Sequence, residues 1–89
     1  MKGKLLRIGE VVAENLDISL AEGIEGGRVY WRGTFRLRSE VEIDADQIYH
    51  LILANGREGD AVLFAHFDTL EGGFIRVHFE GDTELVKSR

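Results

Sequence analysis

"YHLILANGREGDAVLFAHF", residues 49–67, decides the fold class. Tyr49, Leu51 and Leu53 alternate with His50, Ile52 and Ala54, and Ala61, Leu63, Ala65 and Phe67 resume the same period after Asn55-Gly56. A period of two sends successive side chains to opposite faces of an extended chain, so each run reads as a strand with one inward face. Asn-Gly suits a two-residue type I′ turn, in which both central residues need positive φ. Direct pairing through that turn sets Leu51 opposite Asp60, an inward residue against an outward one. One extra residue at Gly59, placed as a bulge, brings Leu51 opposite Ala61 and Tyr49 opposite Leu63, and that is the expected hairpin.

Working outward, "TLEGGF", residues 69–74, closes a second hairpin into Ile75, Val77 and Phe79, which makes the last three strands a meander. Upstream, Val29, Trp31, Gly33, Phe35 and Leu37 share one parity, and Tyr30, Arg32, Thr34, Arg36 and Arg38 share the other. That alternation predicts a half-buried strand with a basic outer side. Further strands are expected near Lys4 to Ile8, Val11 to Asn15 and Leu16 to Leu20, with a glycine turn at Gly9-Glu10 and a flexible loop over residues 21–27. Only Asp44 to Tyr49 and Val11 to Leu16 carry any helical signal, and both are short. About seven short strands separated by glycine turns predict one all-β domain over residues 1–89, an antiparallel barrel or a compact sandwich.

A chain of 89 residues buries only roughly 60–65% of the surface its unfolded form exposes. It contains no cysteine, so neither a disulfide nor a thiolate–zinc site supports this small core, and self-association is the expected supplement. The N-terminal "MKGKLLRIGE" has too few consecutive apolar residues for a signal peptide or a membrane span, which points to the cytoplasm. A net charge of −5 opposes nonspecific attraction to nucleic acid or anionic lipid.

Four constellations carry candidate chemistry. Ile48, Ile52, Val62, Phe64 and Phe74 fall on the parity opposite to the core and form the expected interface of a homodimer, unless the N-terminal strands cover them or a ligand does. Arg32, Arg36 and Arg38 form a stripe suited to an anionic ligand or nucleic acid, while Trp31 and Phe35 face the other way. Glu40, Glu42, Asp44 and Asp46 follow on the same parity, and a reversal near Ser39 would pair them with those arginines. His66, His78 and Asp68 would meet on the outer face if residues 71–73 form a three-residue loop, with His66 opposite His78 and Asp68 opposite Arg76. Such a set could hold zinc with an open fourth position, although the expectation is a surface pair without metal or other cofactor.

Catalysis finds little support. Ser19, Ser39 and Ser88 lie outside any nucleophile-elbow context, and "GIEGG" lacks the lysine and helix of a phosphate loop.

Two family resemblances attach to particular residues. "LDISLAEGI", residues 16–24, resembles the aspartate-x-serine segment of PilZ domains, and the resemblance implies a small β-barrel that binds cyclic di-GMP. That family's glycine falls two residues nearer than Gly23, and of its Arg-x-x-x-Arg only Arg7 is present. "WRGTFRL", "YHLILANGREGDAVL" and "VHFEG" together resemble a pattern of short bacterial proteins, which implies a small all-β domain without an assigned activity. The function expected is non-enzymatic: a β-domain acting through protein–protein association, with anion or nucleotide binding as the alternative.

Overall fold

The computed structural model describes residues 1–87, apart from the side chains at positions 65 and 66. Its strands are β1 (Lys2–Arg7), β2 (Glu10–Glu25), β3 (Arg28–Arg38), β4 (Ile48–Leu53), β5 (Arg57–Leu70), β6 (Phe74–Gly81) and β7 (Val86–Lys87). All pairings are antiparallel, and the ring β1-β2-β3-β6-β5-β4 closes on itself through β4 and β1. Of the two expected architectures, this is the barrel. Closure removes most sheet edges, and β7 lies outside the ring against the start of β5. The meander β4-β5-β6 is present as read from the sequence.

The N-terminal half differs from expectation in its boundaries. β2 is one strand of 16 residues that merges two expected strands with the expected loop, so residues 21–25 are paired with β3 and only Gly26-Gly27 turn. The parity break between Asn15 and Leu16 is a bulge: Asn15 adopts φ 56°, and the β1–β2 register shifts on either side of Leu5. Bulges sharpen the twist that lets a short sheet curl shut. The first turn is Ile8-Gly9 rather than Gly9-Glu10, with φ of 51° and 75°, as a two-residue primed turn requires. Neither helix forms, since residues 11–16 lie in β2 and residues 44–47 make a turn around Asp46 at φ 63°.

The hairpin of residues 49–67 keeps the correct faces by another device. Tyr49 stands opposite Ala61 and Leu51 opposite Gly59, without a bulge at Gly59. The additional residue sits in the turn, where Ala54, Asn55 and Gly56 form a three-residue loop with Gly56 at φ 85°. The Gly56 amide donates to the Leu53 carbonyl and the Arg57 amide to Asn55 Oδ1, so the loop pairs its own backbone. Absorbing the residue there leaves the β4–β5 ladder intact.

Inward residues from all six ring strands form the core, among them Leu5, Ile18, Phe35, Leu51, Leu63 and Phe79, each almost wholly buried. Burying a side chain of this size contributes about 1.5–3 kcal/mol. Val29 shares their parity but is 71% exposed, because β2 and β3 run past the barrel rim as a two-stranded ribbon.

Residues 39–47 cross from β3 to the diametrically opposite β4 and close the lower end. Val41 and Ile43 pack on the core from this crossing, while the Asp44 amide donates to the Tyr49 hydroxyl at 2.8 Å. The chain turns at Arg38–Val41, where the Val41 amide donates to the Arg38 carbonyl at 3.0 Å, but it does not run back along β3, and the expected ladder of arginines against carboxylates is absent among the described residues. Its only remnants in the described residues are Arg38 with Glu40 and, from β1, Arg7 with Asp44.

At the upper end Trp31 lies across two glycines. A Cβ on Gly81 would stand 2.2 Å from the indole and one on Gly59 2.9 Å, so side chains there would evict the ring. The indole Nε1 donates to the Thr83 carbonyl at 2.7 Å, which satisfies the buried donor. Above it, Arg57 reaches from β5 across the rim to both carboxylate oxygens of Glu22 on β2.

Candidate functional site: an apolar groove on the outer face

Strand register assembles the outer face from residues distant in sequence. Ala21 lies beside Arg32 and Arg32 beside Glu80; one row below, Ser19 lies beside Thr34 and Thr34 beside His78. Phe64 joins this second row because β5 sets three residues, 64–66, against the single residue His78. These side chains line an open groove of about 630 Å³ whose floor includes Leu20, Gly33 and Phe79. Gly33 is required there, since a Cβ on it would lie 1.9 Å from the Ser19 carbonyl oxygen.

The groove is mainly apolar, with charged or titratable groups at its ends. Arg32 stacks on the Tyr30 ring at 4.8 Å and has no ion-pair partner among the described residues. Tyr30 is itself laid across Gly23, where a Cβ would come within 2.6 Å of its hydroxyl. A guanidinium held flat on a ring keeps its donors free for a planar anion. At the other end His78 Nε2 shares a hydrogen bond with Asp68 at 3.0 Å, and Asp68 also faces Arg76 at 4.0 Å. The Ser19 and Thr34 hydroxyls stand between them. Such a surface can bind a body with an apolar plane and an anionic end.

The other expected site residues disperse. Arg36 lies 4.3 Å over the Phe74 ring and Arg38 5.5 Å from it, so Phe74 is roofed by guanidinium groups. Arg36 is directly opposite Arg76, and the repulsion is relieved by Asp17 on one side and Asp68 on the other. Asp17 accepts from Lys2 at 2.6 Å, which with Arg36 nearby holds its carboxyl below the usual range. Ile48 faces Val62 across the β4–β5 ladder, with Phe64 next along β5, whereas Ile52 stands between Lys4 and Glu58. Arg76 and His78 separate Phe74 from Phe64, so the five apolar residues form one strip and two outliers. The N-terminal strands enter the ring and leave this face uncovered.

The three-residue loop 71–73 and the Asp68–Arg76 pairing are as expected, and the expected opposition of His66 to His78 falls outside the described residues. The His66 side chain lies outside the described residues, and no group of three or more His, Asp or Glu among the described residues is disposed to hold a metal.

Sequence reasoning missed a third histidine. His50 Nδ1 lies 2.7 Å from Asp60 and Nε2 3.2 Å from Glu58, all on the outer face of β4 and β5. Partial burial lowers its pKa, but the hydrogen bonds to Asp60 and Glu58 outweigh that and the net direction is up. Parity alone marked His50, Glu58 and Asp60 as outward, yet only the register makes them neighbours. The same holds for Ser19 and Thr34 in the groove. Comparison with known proteins found no matching family, no similar curated protein and no similar solved structure.

Proposed function

We propose that this chain is a non-catalytic binding domain whose outer groove takes a small ligand with a flat apolar body and an anionic group. The carrying observation is the Arg32 guanidinium, without an ion-pair partner among the described residues and stacked on Tyr30 at the end of a mainly apolar groove walled by Phe64. The body lies over Ala21 and Leu20 and against Phe64, and the anion meets Arg32 with Ser19 and Thr34 as secondary donors. In the PilZ-like reading a cyclic dinucleotide is one such ligand, with Ser19 on the groove wall. The cytoplasm is the compartment of this reading: the chain has no cysteine, and no described helix is long and apolar enough to cross a membrane.

Anilinonaphthalene sulfonate tests it. The dye is expected to bind saturably in equimolar ratio, with affinity falling about tenfold in Arg32→Gln, the worth of one charge-assisted hydrogen bond. An uncharged naphthylamine should bind wild type and Arg32→Gln alike. Equal dye affinity in wild type, Arg32→Gln and Phe64→Ser would refute the groove.

A second reading rests on a different observation. Ile48 is 53% and Phe64 41% exposed on either side of Val62, an apolar strip suited to the same strip on a second copy. A homodimer through it sediments as a dimer at micromolar concentration, and Ile48→Glu returns it to monomer.

A further inference from the structure

Between β3 and the segment leaving β6, the barrel rim opens into a cleft of about 990 Å³ that is separate from the outer groove. Its origin is the seat of Trp31. β6 pairs with β3 only as far as Glu80 opposite Arg32, because beyond it the indole fills the space beside Gly81. The chain then turns away to the Asp60 carbonyl, which accepts from the Asp82 and Thr83 amides at 2.8 and 3.3 Å. The Thr83 hydroxyl takes the Asp60 amide in return, so the departure is fixed by several hydrogen bonds. β3 continues without its neighbour: Arg28, Val29, Tyr30 and Trp31 pair with β2 alone, and no other backbone hydrogen bond reaches their free side among the described residues.

A row of unpaired amides and carbonyls along a cleft is a template for an added strand, and the four residues offer about 13 Å of edge. Charge selects the occupant. Glu25, Glu80, Asp82 and Glu84 line the cleft without an ion-pair partner among the described residues, Glu22 is already clasped by Arg57, and Arg28 is the remaining cation. Residues 19–25 of β2 also show a free edge, but a second copy pairing there would set acidic residues against acidic residues.

We propose that the cleft takes an extended basic segment of another protein, which adds as a strand to β3 at Arg28–Trp31. Backbone bonds to β3 supply the register. Alternate lysine or arginine side chains of the segment point toward Glu80, Asp82 and Glu84, and its other face lies on the exposed Val29 and Ile24. This site is distinct from the outer groove, with which it shares Tyr30 alone, since Arg32 and Phe64 take no part in it.

Trp31, the single tryptophan, lines the cleft and reports on it directly. The full chain is titrated with a short blocked peptide of alternating lysine and valine, followed by indole fluorescence and amide shifts. The expected result is a saturable response at Trp31 and at the amides of residues 28–31, weakened at high salt. N-methylation of alternate peptide amides should cost at least about tenfold in affinity, the worth of one or two net backbone hydrogen bonds. Asp82→Asn combined with Glu84→Gln should weaken binding several-fold while the rest of the amide spectrum stays unchanged. The proposal is overturned if the N-methylated or the glutamate–valine peptide binds as tightly, or if spermidine alone reproduces the shifts. It is equally overturned if residues 28–31 stay silent, or if they shift with protein concentration alone, which would place a second copy in the cleft.

Discussion

Replacing Gly81 by alanine tests the account of the barrel's upper end. The new Cβ would stand 2.2 Å from Trp31 Cε2 and Nε1, where ordinary contacts begin at 3.4 Å, so the indole must retreat by about 1 Å. It has nowhere to go without leaving the Thr83 carbonyl, its hydrogen-bond partner at 2.7 Å. Overpacking a filled core costs about 1–3 kcal/mol, and a buried donor left unsatisfied adds about 1–3 kcal/mol. A loss near 3 kcal/mol is therefore expected, against about 4–13 kcal/mol of total stability for a chain of this length. In a domain of this size it corresponds to a fall in Tm of about 12–24 °C. Scanning calorimetry gives Tm, and near-ultraviolet circular dichroism of the single indole reports whether the ring has moved. Gly27→Ala is the control: nothing lies within 4 Å of its Cβ, so only the positive φ of 77° opposes it. That should cost about 1–2 kcal/mol. Trp31→Phe in the Gly81→Ala background removes the orphaned donor and the Nε1 contact with the new Cβ, so the two substitutions should not be additive. A Gly81→Ala protein with unchanged Tm and an unchanged indole band would refute the seat of Trp31 and, with it, the reason β6 leaves β3.

Two further outcomes follow from backbone strain and from charge. Ile8 is β-branched, 94% exposed and held at φ 51° in the first turn, so Ile8→Asn, which creates an Asn-Gly pair, should gain about 1 kcal/mol in denaturant unfolding. No gain would mean that this turn does not hold the left-handed conformation in solution. His50, with its pKa raised by Asp60 and Glu58, stabilises the fold fully below its ordinary unfolded value of about 6.5, and that contribution is lost as pH rises through the raised folded value. His50→Gln should abolish this alkaline decline, and a decline that persists in the variant would assign it to another group.

The strands were legible because their cause is local. Alternation in residues 29–37, 49–53 and 75–79 reports which side of each strand is buried, and a half-buried strand needs nothing else to declare itself. Merging residues 10–25 into one strand was not legible, because the only local mark of the bulge is a broken parity at Asn15, which reads equally well as a gap between strands. The hairpin turn shows the same limit. Parity required one additional residue between Leu53 and Ala61 but did not say whether the turn or the ladder would hold it.

By itself, then, the sequence determined an all-β antiparallel domain, the inward set around Phe35, Leu51 and Phe79, and the three-strand meander. Periodicity and turn chemistry act over a few residues, and those properties depend on nothing longer. Tertiary structure alone decided that the ring closes, that residues 39–47 cross its lower end instead of pairing with the arginines, and that Trp31 rests on Gly59 and Gly81. It also decided the candidate sites. The groove joins residues 19, 32, 64 and 78, and the cleft joins residue 28 to residue 84. Such neighbours are set by the register between strands, which comes from closing the whole barrel at once and is not written in any one segment.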